Sequence, residues 1–457
     1  MLTTILKHQK IFVLGLGVSG ISTARFISKL GAKTYIFDDN KTLEQIAKLN
    51  LDKNIEFCHY DKINWDEIDY LVLSPGIPSS LPEPHPAVVQ ARSHSVKITV
   101  DVELFVNLIP NSNIIAITGT NGKSTVASLI YHILSSCNKK VCLGGNIGVP
   151  VFDLEINNDN EQYYVLELSS YQLELIDLAA FDIAILLNIT ADHLDRHGNM
   201  ANYVKAKENI IKNTKQNQRF IISIDDDYCD NIYQNYNGES LTISNNNNKA
   251  DVFFDQQKEI INYYTEKILF PIDVKRFGNK QNILAAVTTA KLYHIANNHI
   301  IEAIKTFKPL PYRMEFLGKI RNINFYNDSK ATNAESSLNA IKQLQNIYWI
   351  AGGIAKSGGI NIIKDYLHNI RKIFLIGQSQ EYFATQLAKY NFHSYSSFPT
   401  LELAVGNAIL TADKEQQEIN ILFSPAAASF DMWSNFLERG KHFQLIYNKA
   451  KNNEAIL

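Results

Sequence analysis

Cysteine is scarce in this 457-residue chain: Cys58, Cys137, Cys142 and Cys229 are the whole complement, and no two form a Cys-x-x-Cys pair. That excludes the spacing of a zinc knuckle and the dense framework of a disulfide-stapled domain, so reduced thiols are the expectation. An excess of positive charge is missing too. The 44 Lys and Arg stand against 46 Asp and Glu, which leaves no electrostatic footprint for a nucleic-acid partner. No apolar run reaches the ~18 residues that a membrane helix needs, and the opening MLTTILKHQKIFVLG lacks the basic-then-apolar order of a secretory leader. A cytoplasmic protein with no membrane partner, working as a monomer on small molecules, is expected.

What is present is apolar material in short pieces. Hydrophobic residues make up 46% of the chain and charged ones 20%, enough for about three domains of ~150 residues. Short apolar runs of buried-strand type alternate with helical spacing: IFVL (11–14), KTYIF (33–37) and DYLVLSPG (69–76), then NIIAIT, YYVLEL (163–168), FDIAILLN (181–188) and RFIISI (219–224), and finally INFYN, IYWIAGG, KIFLIG and INILFSP. This alternation predicts an α/β fold with mostly parallel sheets. Boundaries are expected near residue 100, after the Pro-rich GIPSSLPEPHP, and near Pro309 to Pro311, giving domains of 1–100, 101–309 and 310–457. The Asn-rich SNNNNKADVFF (244–254) is read as a surface loop, and Asp225, Asp226 and Asp227 as solvated loop carboxylates.

Two glycine patterns carry chemistry. In IAITGTNGKST a buried strand runs into Gly119, Thr120, Asn121, Gly122, Lys123, Ser124 and Thr125. Glycines admit close backbone approach, the N–H groups opening a helix favour anions, Lys123 adds a positive charge and Ser124 or Thr125 can ligate Mg2+. The usual phosphate loop has a glycine five residues before its Gly-Lys; that position is Ile117, so this loop is shorter than usual. Upstream, Gly15, Gly17 and Gly20 in VLGLGVSG, with Asp38 about 20 residues on, form a second fingerprint. It reads either as a nucleotide site or as tight helix–strand packing without a ligand.

Two polar groups are conspicuous in apolar surroundings. Glu167 ends a buried strand, where an unpaired carboxylate costs several kcal/mol, so a metal or a basic side chain is expected beside it. In NITADHLDRHGN the residues Asp192, His193, Asp195, Arg196 and His197 crowd one turn, either as a solvated charged run or as a second divalent-ion site.

Taken together, GTNGKST, GGNIG, LELSSYQLE, DHLDRH with YVKAK, NDSKATN and SPAAASFDMWSNFLERGKHF occur in an order that resembles the Mur ligases of peptidoglycan synthesis, from Val13 to about Phe443. NDSKATN with SPAAASFD favours the D-glutamate-adding branch. The resemblance implies a Rossmann-like N-terminal domain for a UDP-linked substrate, a central P-loop-type ATPase domain and a Rossmann-like C-terminal domain for the incoming amino acid. It also implies ATP, two Mg2+ ions and a carbamylated lysine, Lys207 in YVKAK with Lys205 as the alternative. Residues carried over are Lys123, Glu167, His193 and Lys207 for catalysis, and Ser124, Glu167, His193 and carbamylated Lys207 for the metal. Asn282, Arg313 and Asp328 join the 119–125 loop at ATP; Gly15, Gly17, Ser19, Asp38, Ser74, Gly76, Asn146 and Gln172 meet the UDP substrate; Lys330, Thr332, Lys356, Ser429 and Phe436 meet D-glutamate. The rival classes are a folylpolyglutamate-type ligase, a nicotinamide-dependent dehydrogenase built on the first fingerprint, and a non-catalytic nucleotide switch.

Overall fold

The computed structural model describes residues 6–41, 52–245, 247–255, 260–269, 279–308, 310–356 and 358–453. The first sheet is formed by β1 (Lys10–Leu14), β2 (Lys33–Phe37), β3 (Ile55–Phe57), β4 (Tyr70–Leu73) and β5 (Lys97–Thr99), all parallel in the order β3-β2-β1-β4-β5. The second has nine strands: β6 (Asn113–Thr118), β7 (Lys140–Gly145), β8 (Gln162–Glu167), β9 (Phe181–Leu186), β10 (Thr214–Ser223), β11 (Ser240–Ser244), β12 (Val252–Asp255), β13 (Ile260–Tyr263) and β14 (Glu266–Leu269). Their order is β14-β13-β12-β11-β10-β9-β6-β8-β7. Strands β6 to β12 run parallel, and β12, β13 and β14 form an antiparallel edge. β6 and β8 read as near-continuous apolar runs because helices cover both faces of a parallel sheet.

The first two sheets belong to one compact unit. The helix Val18–Lys29 joins them: Phe26 stacks on Phe152 with ring centroids 4.6 Å apart, and Ser22 Oγ donates to Asp153 Oδ1 at 2.7 Å. One apolar cluster consequently includes Val13, Ile27, Phe105 and Leu166, and it crosses the division expected near residue 100.

A second unit carries the third sheet, made of β15 (Glu315–Ile320), β16 (Ile323–Asn327), β17 (Ile347–Gly352), β19 (Ile370–Ile376), β20 (Tyr395–Ser397) and β21 (Ile419–Phe423) in the order β15-β16-β21-β17-β19-β20. Only β15 runs antiparallel, to β16. Two short strands, β18 (Ile354–Ala355) and β22 (Ala427–Ala428), pair separately. Alternate residues go to opposite faces of the sheet: Tyr348, Ile350 and Phe374 into one core, Trp349, Ala351 and Leu375 into the other.

Several readings of the sequence change here. The segment 244–254 is only partly loop, since Val252 onward pairs with β11 and β13. Strands β3, β5, β7, β11, β13, β14, β15, β18, β20 and β22 are additional to those expected. Asp226 is a helix N-cap and no solvated carboxylate: Oδ1 accepts from Cys229 N at 3.0 Å and Oδ2 from Ile189 N at 3.2 Å. Asp225 takes Ser244 Oγ and Asn245 N at 2.5 and 3.0 Å, which ties the loop to the end of β11. Of the second expected boundary, Pro309 lies outside the described residues.

Candidate active site

The strands β8, β6 and β9 lie side by side and end at one edge, with Ile117 opposite both Glu167 and Ile185. The loop 119–122 leaves β6 at that edge and enters the helix Lys123–Ser136 through Gly122 at φ +90. Gly119 sits at φ +150, and a Cβ added to Gly122 would lie 2.3 Å from Asn282 Oδ1, so both glycines are required by the backbone and its neighbours. Two amines converge inside the turn. Lys123 Nζ donates to the carbonyls of Gly119 and Thr120 at 2.8 Å each, and Lys207 Nζ donates to the same Gly119 carbonyl at 2.8 Å.

Lys207 reaches the loop from the helix Met200–Glu208, where Tyr203, Ala206 and Lys207 form the buried side and Lys205 is exposed. Its amine also lies 4.7 Å from the centre of the Tyr203 ring. Burial, and next the charge of Lys123, push it well below the usual lysine range, against the opposing pull of Asp192 and Glu167. A lowered pKa favours the neutral, nucleophilic form of a lysine amine.

The loop's outer wall comes from the end of β9. Thr120 N donates to Asn188 O and Asn121 N to Asn188 Oδ1, both at 2.8 Å, while Asn188 Nδ2 returns a bond to Asn121 O at 3.1 Å. The same amide donates to Gln281 Oε1 at 2.9 Å, and Gln281 in turn donates to Ser223 Oγ. Thr120 Oγ1 accepts from Thr190 N at 3.0 Å and lies 3.0 Å from Tyr203 Oη. Asn188 and Thr190 were missed in the sequence because an Asn ending a strand has many ordinary uses; Asn188 following FDIAILL directly is the only local signal.

Glu167 is buried at the end of β8, and Asn146 Nδ2 donates to its Oε1 at 3.0 Å. A residue read as a substrate contact and one read as a metal ligand are thus immediate neighbours. His193 adopts φ +54, its Nδ1 lies 2.8 Å from Tyr171 Oη, and its Nε2 lies 3.6 Å from Asp192 Oδ2. Gln172 is buried and closes a capping box with Ser169 at the start of the helix Ser170–Leu173. Among the described residues no group of three or more His, Cys, Asp and Glu side chains is gathered as a metal cluster. The charged turn after Asn188 divides: Asp192, Arg196 and His197 are buried and Asp195 is exposed.

In the first sheet the expected substrate residues follow β1, β2 and β4, at the carboxyl ends where such sheets bind ligands. Much of the fingerprint is nonetheless packing. A Cβ on Gly20 would lie 1.9 Å from Gly15 O, one on Gly15 would meet Ser74 Cβ at 2.9 Å, and Ser74 Oγ donates to Gly15 O at 2.7 Å. Asp38 accepts from Leu16 N at 2.6 Å and Asn40 N at 2.9 Å, which closes the turn. Cβ atoms on Gly17 and Gly76 would have nothing within 4 Å, and there the surface is open. Ser19 lies on the first turn of the Val18–Lys29 helix, where its carbonyl accepts from Thr23 Oγ1 at 2.8 Å.

The second unit gathers a polar cluster at the ends of β16, β17 and β21. Asp328 is buried; Ser424 Oγ donates to its Oδ2 at 2.6 Å and Met314 N to its Oδ1 at 3.1 Å, yet burial outweighs these bonds and the nearby Arg313 and pushes its pKa up to about 7. Lys330 Nζ sits 3.8 Å from the centre of the Phe436 ring. Thr332 N donates to Lys330 O at 2.8 Å, and Lys356 and Ser429 each follow one strand of the β18–β22 pair. Arg439, unassigned from the sequence, is fully buried and holds the cluster together: it donates to Ser329 Oγ, Ser329 O and Ala427 O at 3.1, 2.7 and 2.9 Å.

A glycine loop that carries Lys123 at the edge of a parallel sheet, a buried amine and carboxylate near it, and a third α/β sheet with its own polar cluster fit an enzyme that spends a nucleoside triphosphate on a second substrate. The chain belongs to the Mur ligase family. Residues 9–100 match the MurD-like N-terminal domain of Mur ligases and 117–290 the Mur ligase middle domain. It is 40% identical to the UDP-N-acetylmuramoylalanine–D-glutamate ligase of a Wolbachia of Brugia malayi, over 98% of both chains. The enzymes of the same name from Rickettsia prowazekii and Caulobacter vibrioides are each 38% identical, over 96% of this chain and 97% of the first, and over 97% and 96% for the second. Among solved structures, MurF of Acinetobacter baumannii has the same fold at a TM-score of 0.61 and 17% identity, over 96% of this chain and 91% of that one. MurC of Thermotoga maritima does so at 0.59 and 18%, over 97% and 100%.

Asn188→Ala removes two of the bonds that hold the loop, so binding of a nucleoside triphosphate should weaken by about tenfold or more while the fold persists. Isothermal titration with ATP checks this; unchanged affinity would show that the loop holds its shape without the Asn188 amide.

Proposed function

We propose that this chain adds D-glutamate to UDP-N-acetylmuramoyl-L-alanine at the expense of ATP, through an acyl phosphate, as a cytoplasmic step of peptidoglycan precursor synthesis serving cell shape and division. The near-full-length relatives that share the name of a D-glutamate ligase support the choice of amino acid. One observation carries the chemistry: the buried Lys207 amine lies against the phosphate loop beside Lys123.

A carboxylate oxygen is a poor leaving group, so the L-alanyl carboxylate must be activated before an amine can displace it. Its oxygen attacks the γ-phosphorus of ATP, the bond to the β,γ-bridging oxygen breaks, and ADP leaves. The D-glutamate amine then attacks the acyl carbon, a proton is lost, and the acyl oxygen departs with inorganic phosphate. Lys123 and the 119–125 loop stabilise the phosphates, with Asn282 against Gly122; Arg313 and Asp328 are assigned to ATP by the family resemblance. Lys330, Thr332, Lys356, Ser429 and Phe436 form the D-glutamate pocket, where two carboxylates need cations and hydroxyls. Gly15, Gly17, Ser19, Asp38, Ser74, Gly76, Asn146 and Gln172 serve the UDP-linked substrate; for Asp38 and Gln172, whose side chains already hold backbone, this means shaping the site.

The residues fit a divalent cation and a carbamate. Glu167 and Ser124 flank the loop, His193 lies on the neighbouring turn, and the buried Lys207 amine, in the neutral form that its burial favours, can add CO2 and lose a proton to give an anionic oxygen donor. Two Mg2+ ions held by Ser124, Glu167, His193 and carbamylated Lys207 would supply neutralisation of the phosphate charge. The enzyme acts as a monomer.

Phosphate release should require ATP, UDP-N-acetylmuramoyl-L-alanine and D-glutamate together, and L-alanine should not replace D-glutamate. Omission of each substrate in turn tests this; release with another amino acid at equal efficiency would reassign the enzyme within its family. Lys207→Ala should be nearly inactive and partly restored by short carboxylic acids, whereas Lys205→Ala should retain activity. The reverse pattern in the same phosphate-release assay would move the carbamate to Lys205.

A further inference from the structure

The turn after Asn188 holds an arginine that none of the roles above uses. Arg196 is buried, on the four-residue helix Leu194–His197, and its guanidinium turns toward the first sheet. Nη1 donates to Leu81 O at 2.9 Å; Nη2 reaches Ile77 O at 3.4 Å and Ser79 Oγ at 3.5 Å. Nη1 also pairs with Glu174 Oε2 at 3.6 Å, and Glu174 Oε1 accepts from Ser79 Oγ at 2.5 Å and Ser80 Oγ at 3.0 Å. The guanidinium carbon lies 5.4 Å from the centre of the Tyr171 ring, whose hydroxyl bonds His193. Gly198, at φ +77, closes the turn against Leu81: a Cβ there would come 2.9 Å from Leu81 Cδ1.

The segment 77–81 comes directly after Ser74 and Gly76 and has no regular structure of its own. Its carbonyls cannot pair within a strand or helix, so they depend on a donor from elsewhere, and Arg196 supplies a planar fork that reaches two of them at once. Both ends of this link are tied to a proposed site: one to the substrate loop after β4, the other, through Tyr171, to His193 beside the phosphate loop.

We propose that the Arg196–Glu174 pair is a positioning device that sets the UDP-substrate loop, residues 74–81, in register with the phosphate loop, so that the acceptor carboxylate is presented to the γ-phosphate. The inference rests on the function proposed above for its substrate, but its structural half stands without it. Lysine keeps the charge of Arg196 and lacks the fork. Arg196→Lys should therefore raise amide hydrogen exchange across 77–81 by about tenfold or more while the strands of both sheets stay protected. The same variant should raise the KM for UDP-N-acetylmuramoyl-L-alanine by about tenfold or more, with a smaller fall in kcat and the KM for ATP within about twofold of the parent.

The double variant Ser79→Ala, Ser80→Ala leaves the buried ion pair in place and loosens only the loop side. It should shift both readouts in the same direction by less, and it guards against a general loss of folding in Arg196→Lys. Unchanged exchange at 77–81, or equal rises in the KM for ATP and for the acceptor, would overturn the inference. If the parent enzyme proves to use a different acceptor, the function falls, and the exchange measurement still decides whether Arg196 holds this loop.

Discussion

Two lysine amines share one carbonyl oxygen, that of Gly119, and the site is arranged around that fact. Two ammonium groups on a single acceptor in a buried turn repel each other, and the more deeply buried of the pair is the one whose charge is disfavoured. Lys123, at the mouth of the helix, is held by the carbonyls of Gly119 and Thr120. For Lys207, burial and the charge of Lys123 favour the neutral amine. That division needs a rigid turn, and the turn is rigid because its three neighbours come from adjacent parallel strands and the helix that follows them: Asn188 ends β9, Glu167 ends β8, and Asn282 presses on Gly122. A slip of any of these strands by one residue would reverse which side chains face the loop.

The sequence made the parts that depend on local pattern readable. GTNGKST requires left-handed backbone at Gly122 and an anion-binding helix start, and both are visible in a string of seven residues. The apolar runs of β6, β8, β9, β17 and β21 announce strands buried on both faces. What escaped was made by distant partners. Asn188 meets Asn121 across 67 positions, and Arg196 meets Leu81 across 115. Nothing in NITADHLDRH says where its arginine points, and charge density alone suggested either a solvated turn or a metal site, when three of the five charged residues are buried. The glycine fingerprint illustrates the opposite error: Gly15 and Gly20 are small because Ser74 and the backbone leave no room, so spacing alone overstates how much of the motif faces a ligand. Strands β14 and β15 went unread because exposed residues interrupt their apolar pattern, and β13 because only one of its four residues is fully buried.

The second unit follows the same logic with different groups. Asp328 and Arg439 are both buried ionisable groups, and each is satisfied mainly by backbone and hydroxyl groups: Ser424 and Met314 for the acid, Ser329 and Ala427 for the base. Such a network orders the loops after β16 and β21 before any ligand arrives, which lowers the entropic cost of binding. Lys330 over Phe436 and Lys356 beyond the β18–β22 pair are thereby carried on supported loops.

The central claim is that the phosphate loop activates a carboxylate by phosphorylating it, and isotope transfer tests this most directly. With 18O in the L-alanyl carboxylate of UDP-N-acetylmuramoyl-L-alanine, a complete turnover with ATP and D-glutamate should release inorganic phosphate bearing one 18O atom from that carboxylate, read by mass spectrometry or by the isotope shift in its 31P resonance. Phosphate free of the label, with amide product formed in equal amount, would mean that ATP is hydrolysed by water and the acyl phosphate is never made, and the account given for Lys123, Lys207 and the loop between them would be wrong.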